Sequence, residues 1–289
     1  MRMLLISVGI GAAALAAGCG SADSETQPAV IATTGIVADI TEQVAGGDIE
    51  VEQLIPDSSS PHDFQLSAED RQRLEEASLV AANGADLEAG IPLEDVDAPY
   101  WELSEHVGKL RPFEEGGSDP HVWMDPTNVA RALPSLADAL AEADPAHAAG
   151  YRERADAYAA ELKELDAEIR RRVEAIPKAD RKLVTSHDAL GYFADRYGFE
   201  VVATPFPASG PEAEPSAARL HDVEEAVRSS GVPTVFAEDT DDPKVLRKVA
   251  DDTGVEIETG LHVEAPGDAG SYIEMLRADA ELLISGLQR

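Results

Sequence analysis

The sequence predicts an α/β protein of two lobes, each with a small, mostly parallel sheet flanked by helices, joined by one long helix. Short apolar runs alternate with helical segments in both halves of the chain, which is the pattern of βαβ units. Between the halves lies one long amphipathic stretch. The chain of 289 residues is 44% hydrophobic, which is sufficient for two cores of ordinary domain size.

Residues 1–28 are predicted to precede the fold. Residues 1–18 combine Arg2 with a short apolar run, which is typical of a secretory signal peptide. The run ends before Cys19, the single cysteine, in a pattern that resembles a bacterial lipobox. We expect residues 19–28, small and polar, to be a lipid-anchored tether. The protein would then be secreted across the cytoplasmic membrane and held at its extracellular or periplasmic face, as a monomer.

Residues 29–144 are predicted to form the first lobe. Apolar runs predict strands at 29–33, 51–55, 79–82 and 100–103. Helical spacing predicts helices at 36–44, 67–77 and 127–143. Ser67, with Asp70 three residues later, predicts the N-cap of the second helix. Pro134 predicts an interruption or a kink in the third.

A long linking helix is predicted over residues 145–177, between Pro145 and Pro177. Apolar residues recur there at steps of mostly three and four, which gives one buried stripe. The stripe comprises Tyr151, Ala155, Tyr158, Leu162, Leu165, Ile169, Val173 and Ile176. About thirty residues of helix extend for roughly 45 Å, enough to run along both lobes.

Residues 178–289 are predicted to form the second lobe. Strands are expected at 182–185, 201–202, 234–237 and 255–257, and helices at 189–197, 215–229, 243–252 and 271–287. In parallel sheets the loops at the carboxyl ends of the strands are where ligands bind. We therefore expect any functional site on those loops.

The charge of the chain restricts its partners. The formal net charge is −33, from 56 acidic and 23 basic residues. Such a surface repels phosphate groups, which argues against nucleic acid as a partner.

Three of the seven histidines lie on loops directly after a predicted strand or before a predicted helix: His62, His121 and His187. They are 59 and 66 residues apart, so no local zinc-finger spacing exists. His121 is bracketed by Asp119-Pro120 and Asp125-Pro126, which constrain its loop. Each imidazole alone would more often be structural, but the predicted architecture brings such loops together.

Five ordered motifs extend this interpretation over essentially the whole chain after the tether. They are Pro61-His62-Asp63-Phe64, Asn83-Gly84-Ala85-Asp86-Leu87-Glu88, Asp119-Pro120-His121-Val122-Trp123-Met124-Asp125-Pro126, Thr185-Ser186-His187-Asp188-Ala189-Leu190-Gly191-Tyr192-Phe193 and Glu214-Pro215-Ser216. Together they resemble the metal-binding solute-binding lipoproteins of bacterial zinc and manganese ABC importers (cluster A-I, ZnuA/TroA-like). The resemblance implies two lobes bridged by a long helix, with the metal between them.

The resemblance also implies a ligand set. His62, His121 and His187 fall on the first three ligand positions of the family. Glu264 falls where the family usually has an aspartate, and its extra methylene moves the carboxylate outward. His262, two residues earlier, is on the same side if the segment is extended, and Asp268 is a third, weaker candidate.

Acidic neighbours are expected behind the ligands. Asp119, Asp188 and Glu238 are candidates to accept the second N–H of a ligating imidazole, although each could equally be a helix cap or a solvated charge.

The donor set favours zinc. Imidazole nitrogens with one carboxylate suit Zn²⁺ in tetrahedral geometry, whereas manganese prefers more oxygen ligands. Manganese carriers of the family carry a glutamate at the position of His187. Manganese or iron remains the alternative cargo.

These observations predict a carrier rather than an enzyme. It would capture zinc outside the membrane and deliver it to an ABC permease and its ATPase. A zinc-dependent hydrolase is the alternative from another class. Catalytic zinc sites keep one position open for water, so this alternative requires that a water and not Glu264 takes the fourth position. A surface adhesin is a third hypothesis, which no residue favours.

Overall fold

The computed structural model describes residues 29–113, 117–206, 215–239 and 242–289. The predicted signal peptide, Cys19 and the tether lie outside these residues, as does Glu214 of the fifth motif. Among the described helices, none has the length and apolarity needed to cross a bilayer.

The first lobe is a four-stranded parallel sheet with helices against it. Its strands are β1 (Ala29–Ala32), β2 (Glu50–Gln53), β3 (Leu79–Ala82) and β4 (Tyr100–Glu102), in the order β2-β1-β3-β4. Its helices are α1 (Gly35–Ala45), α2 (Ala68–Glu76) and α3 (Pro126–Ala143). The predicted N-cap of α2 is confirmed, since Ser67 and Asp70 form a reciprocal capping box.

Helix α3 is unbroken at Pro134, so the predicted interruption is wrong. Pro134 lies on the exposed face, where water can satisfy the carbonyl that the missing N–H leaves free. On the opposite face Leu133, Leu136 and Leu140 are fully buried. Their packing outweighs the local cost of the proline.

The long helix α4 (Ala148–Val173) has 26 residues, which corresponds to about 39 Å. It is shorter than predicted, because a 3-10 turn at Pro145–His147 precedes it and turns follow it. The predicted apolar stripe is confirmed, since all of its members are buried. Helix α4 packs against α1 and α3 of the first lobe and against α5 and α8 of the second.

The second lobe repeats the strand order of the first. Its strands are β5 (Lys182–Val184), β6 (Glu200–Ala203), β7 (Thr234–Glu238) and β8 (Glu256–Leu261). The parallel pairs β5–β6 and β7–β8 are joined by a bridge between Thr185 and Phe236, which gives the order β6-β5-β7-β8. Its helices are α5 (Gly191–Tyr197), α6 (Ala217–Ser230), α7 (Lys244–Thr253) and α8 (Tyr272–Leu287).

One hydrophobic core runs through both lobes along α4. Ile36 of α1, Leu162 of α4 and Leu283 of α8 belong to this single cluster and are almost completely buried. A second cluster lies on the other side of the first sheet, and a third on the other side of the second. A shared core favours a fixed arrangement of the two lobes, because separating them would expose apolar surface.

Leu162→Ala should destabilise the protein by about 2–5 kcal/mol, because it leaves a cavity in the core that the lobes share. The neighbouring exposed Lys163→Ala is the matched control and should change the stability by less than about 0.5 kcal/mol. Urea unfolding measures both. Equal midpoints for the two variants would contradict the role assigned to this stripe.

Candidate metal centre

Four loops bring the candidate ligands together between the lobes. His62 follows β2, and His121 lies directly before the 3-10 turn Val122–Met124 that leads into α3. His187 follows β5 and Glu264 follows β8. Each lobe therefore contributes two of the four side chains.

The four side chains converge closely. The Nε2 atom of His121 lies 3.3 Å from Nε2 of His62 and 3.3 Å from Nε2 of His187. Oε1 of Glu264 lies 3.5 Å from Nε2 of His62. Within the described part of the chain, the three histidines are the one group of three side chains whose ligand atoms meet closely enough for a metal ion.

The cluster is shielded from solvent. The side chains of His121 and His187 are 0% and 1% exposed, and those of His62 and Glu264 are 6% and 4% exposed. Burial and the neighbouring imidazoles of His121 and His187 lower the pKa of His62 to about 2. His62 is therefore neutral at physiological pH, which is the state in which an imidazole binds a metal.

Two of the predicted acidic neighbours lie behind imidazoles of the cluster. Oδ1 of Asp119 is 2.9 Å from Nδ1 of His121 and accepts the backbone N–H of the same residue. Oε2 of Glu238 is 2.9 Å from Nδ1 of His187, and its Oε1 accepts the backbone N–H of His187. A carboxylate at Nδ1 favours a proton there and leaves the Nε2 lone pair for the cluster.

Asp188, the third predicted neighbour, is placed differently. It is half-buried at the start of the loop that leads into α5, and the pKa of its carboxyl is raised, by burial first and by the nearby charge of Asp119 second. The contacts that define the cluster join His62, His121, His187 and Glu264, and Asp188 takes part in none of them.

The alternative ligands His262 and Asp268 face one another instead of the histidine cluster. Nδ1 of His262 lies 2.6 Å from Oδ2 of Asp239, and its Nε2 lies 3.2 Å from Oδ1 of Asp268. The chain bends after β8, so His262 and Glu264 do not share a side as an extended segment would require. Glu264 is the one of the three that reaches His62.

Several residues support the site in ways that the sequence did not reveal. Oγ of Ser60 donates to Oε1 of Glu264 at 3.2 Å, across the two lobes. Nothing distinguishes this serine from its neighbours in a serine-rich loop. Nε1 of Trp123 donates to the carbonyl of Val263 at 2.8 Å, which fixes the backbone beside Glu264.

The Asn83–Glu88 motif supports the backbone of the loop that carries His121. Glu88 is buried and accepts hydrogen bonds from the backbone N–H groups of Asn83 and Gly84. The Asn83 amide donates to the carbonyl of Pro120 at 2.9 Å. The order of the motifs pointed to this segment, but the hydrogen bond depends on tertiary contact and has no local signature.

Comparison with known proteins agrees with this architecture. The family model for the zinc-uptake complex component A, periplasmic, matches residues 30–286. The manganese-binding lipoprotein MntA of Halalkalibacterium halodurans is 31% identical, over 96% of each chain. The iron-binding protein YfeA of Yersinia pestis is 32% identical, over 89% of this chain and 85% of its own.

A solved structure shows the same fold. The periplasmic zinc-binding protein TroA of Treponema pallidum superimposes with a TM-score of 0.85 at 28% identity, over 91% of this chain and 100% of its own. The predicted resemblance and the predicted two-lobed fold are thereby confirmed. The chain belongs to the family of the periplasmic zinc-uptake complex component A, whose members are solute-binding proteins of metal importers and not enzymes.

Proposed function

We propose that the chain captures a divalent transition metal, zinc before manganese or iron, and delivers it to an ABC permease driven by its ATPase. The convergence of three imidazole nitrogens and one carboxylate oxygen carries this proposal. His62, His121, His187 and Glu264 are the proposed ligands.

Three of the separations among the four atoms are those expected around a small tetrahedral ion. Zn–N bonds of about 2.0–2.1 Å place adjacent ligand atoms roughly 3.4 Å apart in a tetrahedron and roughly 2.9 Å apart in an octahedron. The separations in the structure are 3.3 Å from His121 to each of the other imidazoles and 3.5 Å from His62 to Glu264. These distances match tetrahedral edges.

The donor types support zinc over manganese. Three nitrogens and one oxygen form a set that zinc accepts readily, whereas manganese favours sites richer in oxygen. Relatives named for manganese and iron are similar in sequence, and one named for zinc shares the fold, so the alternative cargoes are supported by similarity as well. X-ray absorption of the zinc-loaded protein should show four nitrogen or oxygen neighbours at about 2.0 Å.

A place at the outer face of the membrane follows from the same proposal. Relatives are named as lipoproteins, and one is described as a substrate-binding lipoprotein of a metal ABC transporter. Lipid attachment at Cys19 and the tether 19–28 would hold the two lobes near the permease. Monomers are sufficient, since one chain supplies all four ligands.

Removal of one ligand should abolish tight binding. We expect His187→Ala to lower zinc affinity more than about 100-fold, because losing a ligand exceeds the 10–100-fold effect of losing its outer partner. Glu264→Ala should weaken zinc binding less, since water can take the fourth position. Metal content after dialysis and competition with a chromophoric chelator measure both.

His147→Ala is the matched control for these variants. This imidazole is 47% exposed and pairs with Asp144 in front of α4. Its removal should leave zinc affinity unchanged. Wild-type affinity in both His187→Ala and Glu264→Ala would refute the proposed site.

Zinc should order loops rather than whole lobes, because the lobes already share one core. We expect hydrogen exchange to slow mainly in residues 56–64, 118–125 and 258–270 on zinc binding. The measurement is exchange mass spectrometry with and without zinc. Uniform protection of both lobes would indicate a large closing motion instead.

The burial of neutral His62 makes the stability of the metal-free protein depend on pH. The pKa of His62 is about 2 in the folded protein and near 6.5 in the unfolded chain, so the unfolded state binds more protons between these values. The contribution of His62 to the free energy of unfolding is therefore fully present above pH 6.5. It declines by about 1.4 kcal/mol per pH unit below that value.

His62→Gln removes this titration and keeps a neutral polar side chain. Between pH 7.5 and pH 5, the metal-free wild type should lose about 2 kcal/mol more stability than His62→Gln. Urea unfolding in the presence of EDTA measures the difference. Parallel pH profiles for the two proteins would contradict the neutral burial of His62.

A further inference from the structure

Arg111 connects a carboxylate behind one proposed ligand to the opposite lobe. Its Nη1 donates to Oδ2 of Asp119 at 2.7 Å, and its Nε donates to Oδ2 of Asp195 on α5 at 2.7 Å. The other oxygen of Asp119 faces His121 at 2.9 Å. A continuous chain of contacts therefore runs from His121 through Asp119 and Arg111 to the second lobe.

Tyr192 of α5 closes this chain of contacts into a ring. The backbone N–H of Arg111 donates to the hydroxyl of Tyr192 at 3.0 Å, and that hydroxyl donates to the carbonyl of Asp119 at 3.0 Å. The guanidinium carbon lies 5.7 Å from the centre of the Tyr192 ring, within the range of a cation–π contact. Both the backbone and the side chain of Arg111 are thus fixed against α5.

Gly191 makes this approach possible. A Cβ atom at that position would lie 1.5 Å from Nη1 of Arg111 and 2.7 Å from Oδ2 of Asp119. The guanidinium occupies the space that any other residue would fill. An alanine there would displace Arg111 without changing any charge.

The two ion pairs of Arg111 differ in strength. The side chain of Asp119 is 0% exposed, so the groups that contact it must replace the stabilisation that water would give to a charge. The side chain of Asp195 is 68% exposed, and such a pair contributes at most about 1 kcal/mol. The contact with Asp119 is therefore expected to dominate.

We propose that Arg111 is a positioning residue for metal retention, which holds Asp119 against His121 and ties that ligand to α5 across the lobes. The inference rests on the proposed function. Release of the metal would then require His121 to separate from a partner that both lobes fix, and Arg111 would slow dissociation.

The test is zinc release from the purified full chain to a chelator in a stopped-flow instrument. We expect Arg111→Ala to accelerate release by about 10-fold or more, within the range for outer partners of metal ligands. Gly191→Ala should act in the same direction. Asp195→Asn should accelerate release up to about fivefold.

Arg111→Lys tests the geometry of the contact rather than its charge. One ammonium group cannot reproduce the planar fork that serves two carboxylates, so release should be intermediate between wild type and Arg111→Ala. Arg152→Ala is the control, because it removes an exposed arginine paired with Asp138 between α3 and α4. It should release zinc at the wild-type rate.

The outcomes separate this inference from the proposed function. Wild-type release in Arg111→Ala and Gly191→Ala, while His121→Ala loses zinc, overturns the role of Arg111 and leaves the site intact. Wild-type affinity in His121→Ala itself refutes the proposed function. If Arg111→Ala does not fold, wild-type release in both Arg111→Lys and Asp195→Asn overturns the inference.

Discussion

The site depends on holding three imidazoles close together in a cleft between two lobes. Three imidazole nitrogens lie this close only if the surrounding structure fixes each ring. Asp119 and Glu238 fix two rings through Nδ1. Burial keeps His62 uncharged. The loops are in turn anchored in the packed framework, since Trp123, Leu190 and Val263 beside the candidate ligands are almost completely buried.

That framework is the core along α4. Helices of both lobes pack on this one helix, so the lobes are parts of a single hydrophobic cluster and not two bodies on a hinge. Near the site, polar contacts continue the connection, since Trp123 of the first lobe donates to Val263 of the second and Tyr272 donates to the carbonyl of Trp123. This shared frame is the reason to expect metal exchange through loop movement and not through lobe closure.

The sequence predicts the frame better than it predicts the site. Periodicity located α4 and its stripe, because burial of one helix face is a local pattern. The predicted interruption at Pro134 is wrong, since the exposure of a single position depends on how α3 packs. The three histidines were identifiable from their loops and from the ordered motifs. Ser60 and Arg111 carry no local signal, because their contacts join residues far apart in the chain.

Glu264 is the candidate ligand that departs from the pattern of the family. A glutamate in place of an aspartate extends the carboxylate by one methylene, which in an unchanged backbone would move it past the ligand position. Here the chain bends after β8, and the Trp123–Val263 hydrogen bond holds that bend. Ser60 then engages Oε1 from the opposite loop. Oε1 thus accepts from Ser60 and lies 3.5 Å from Nε2 of His62, so residues of the first lobe on both sides fix the position of this carboxylate.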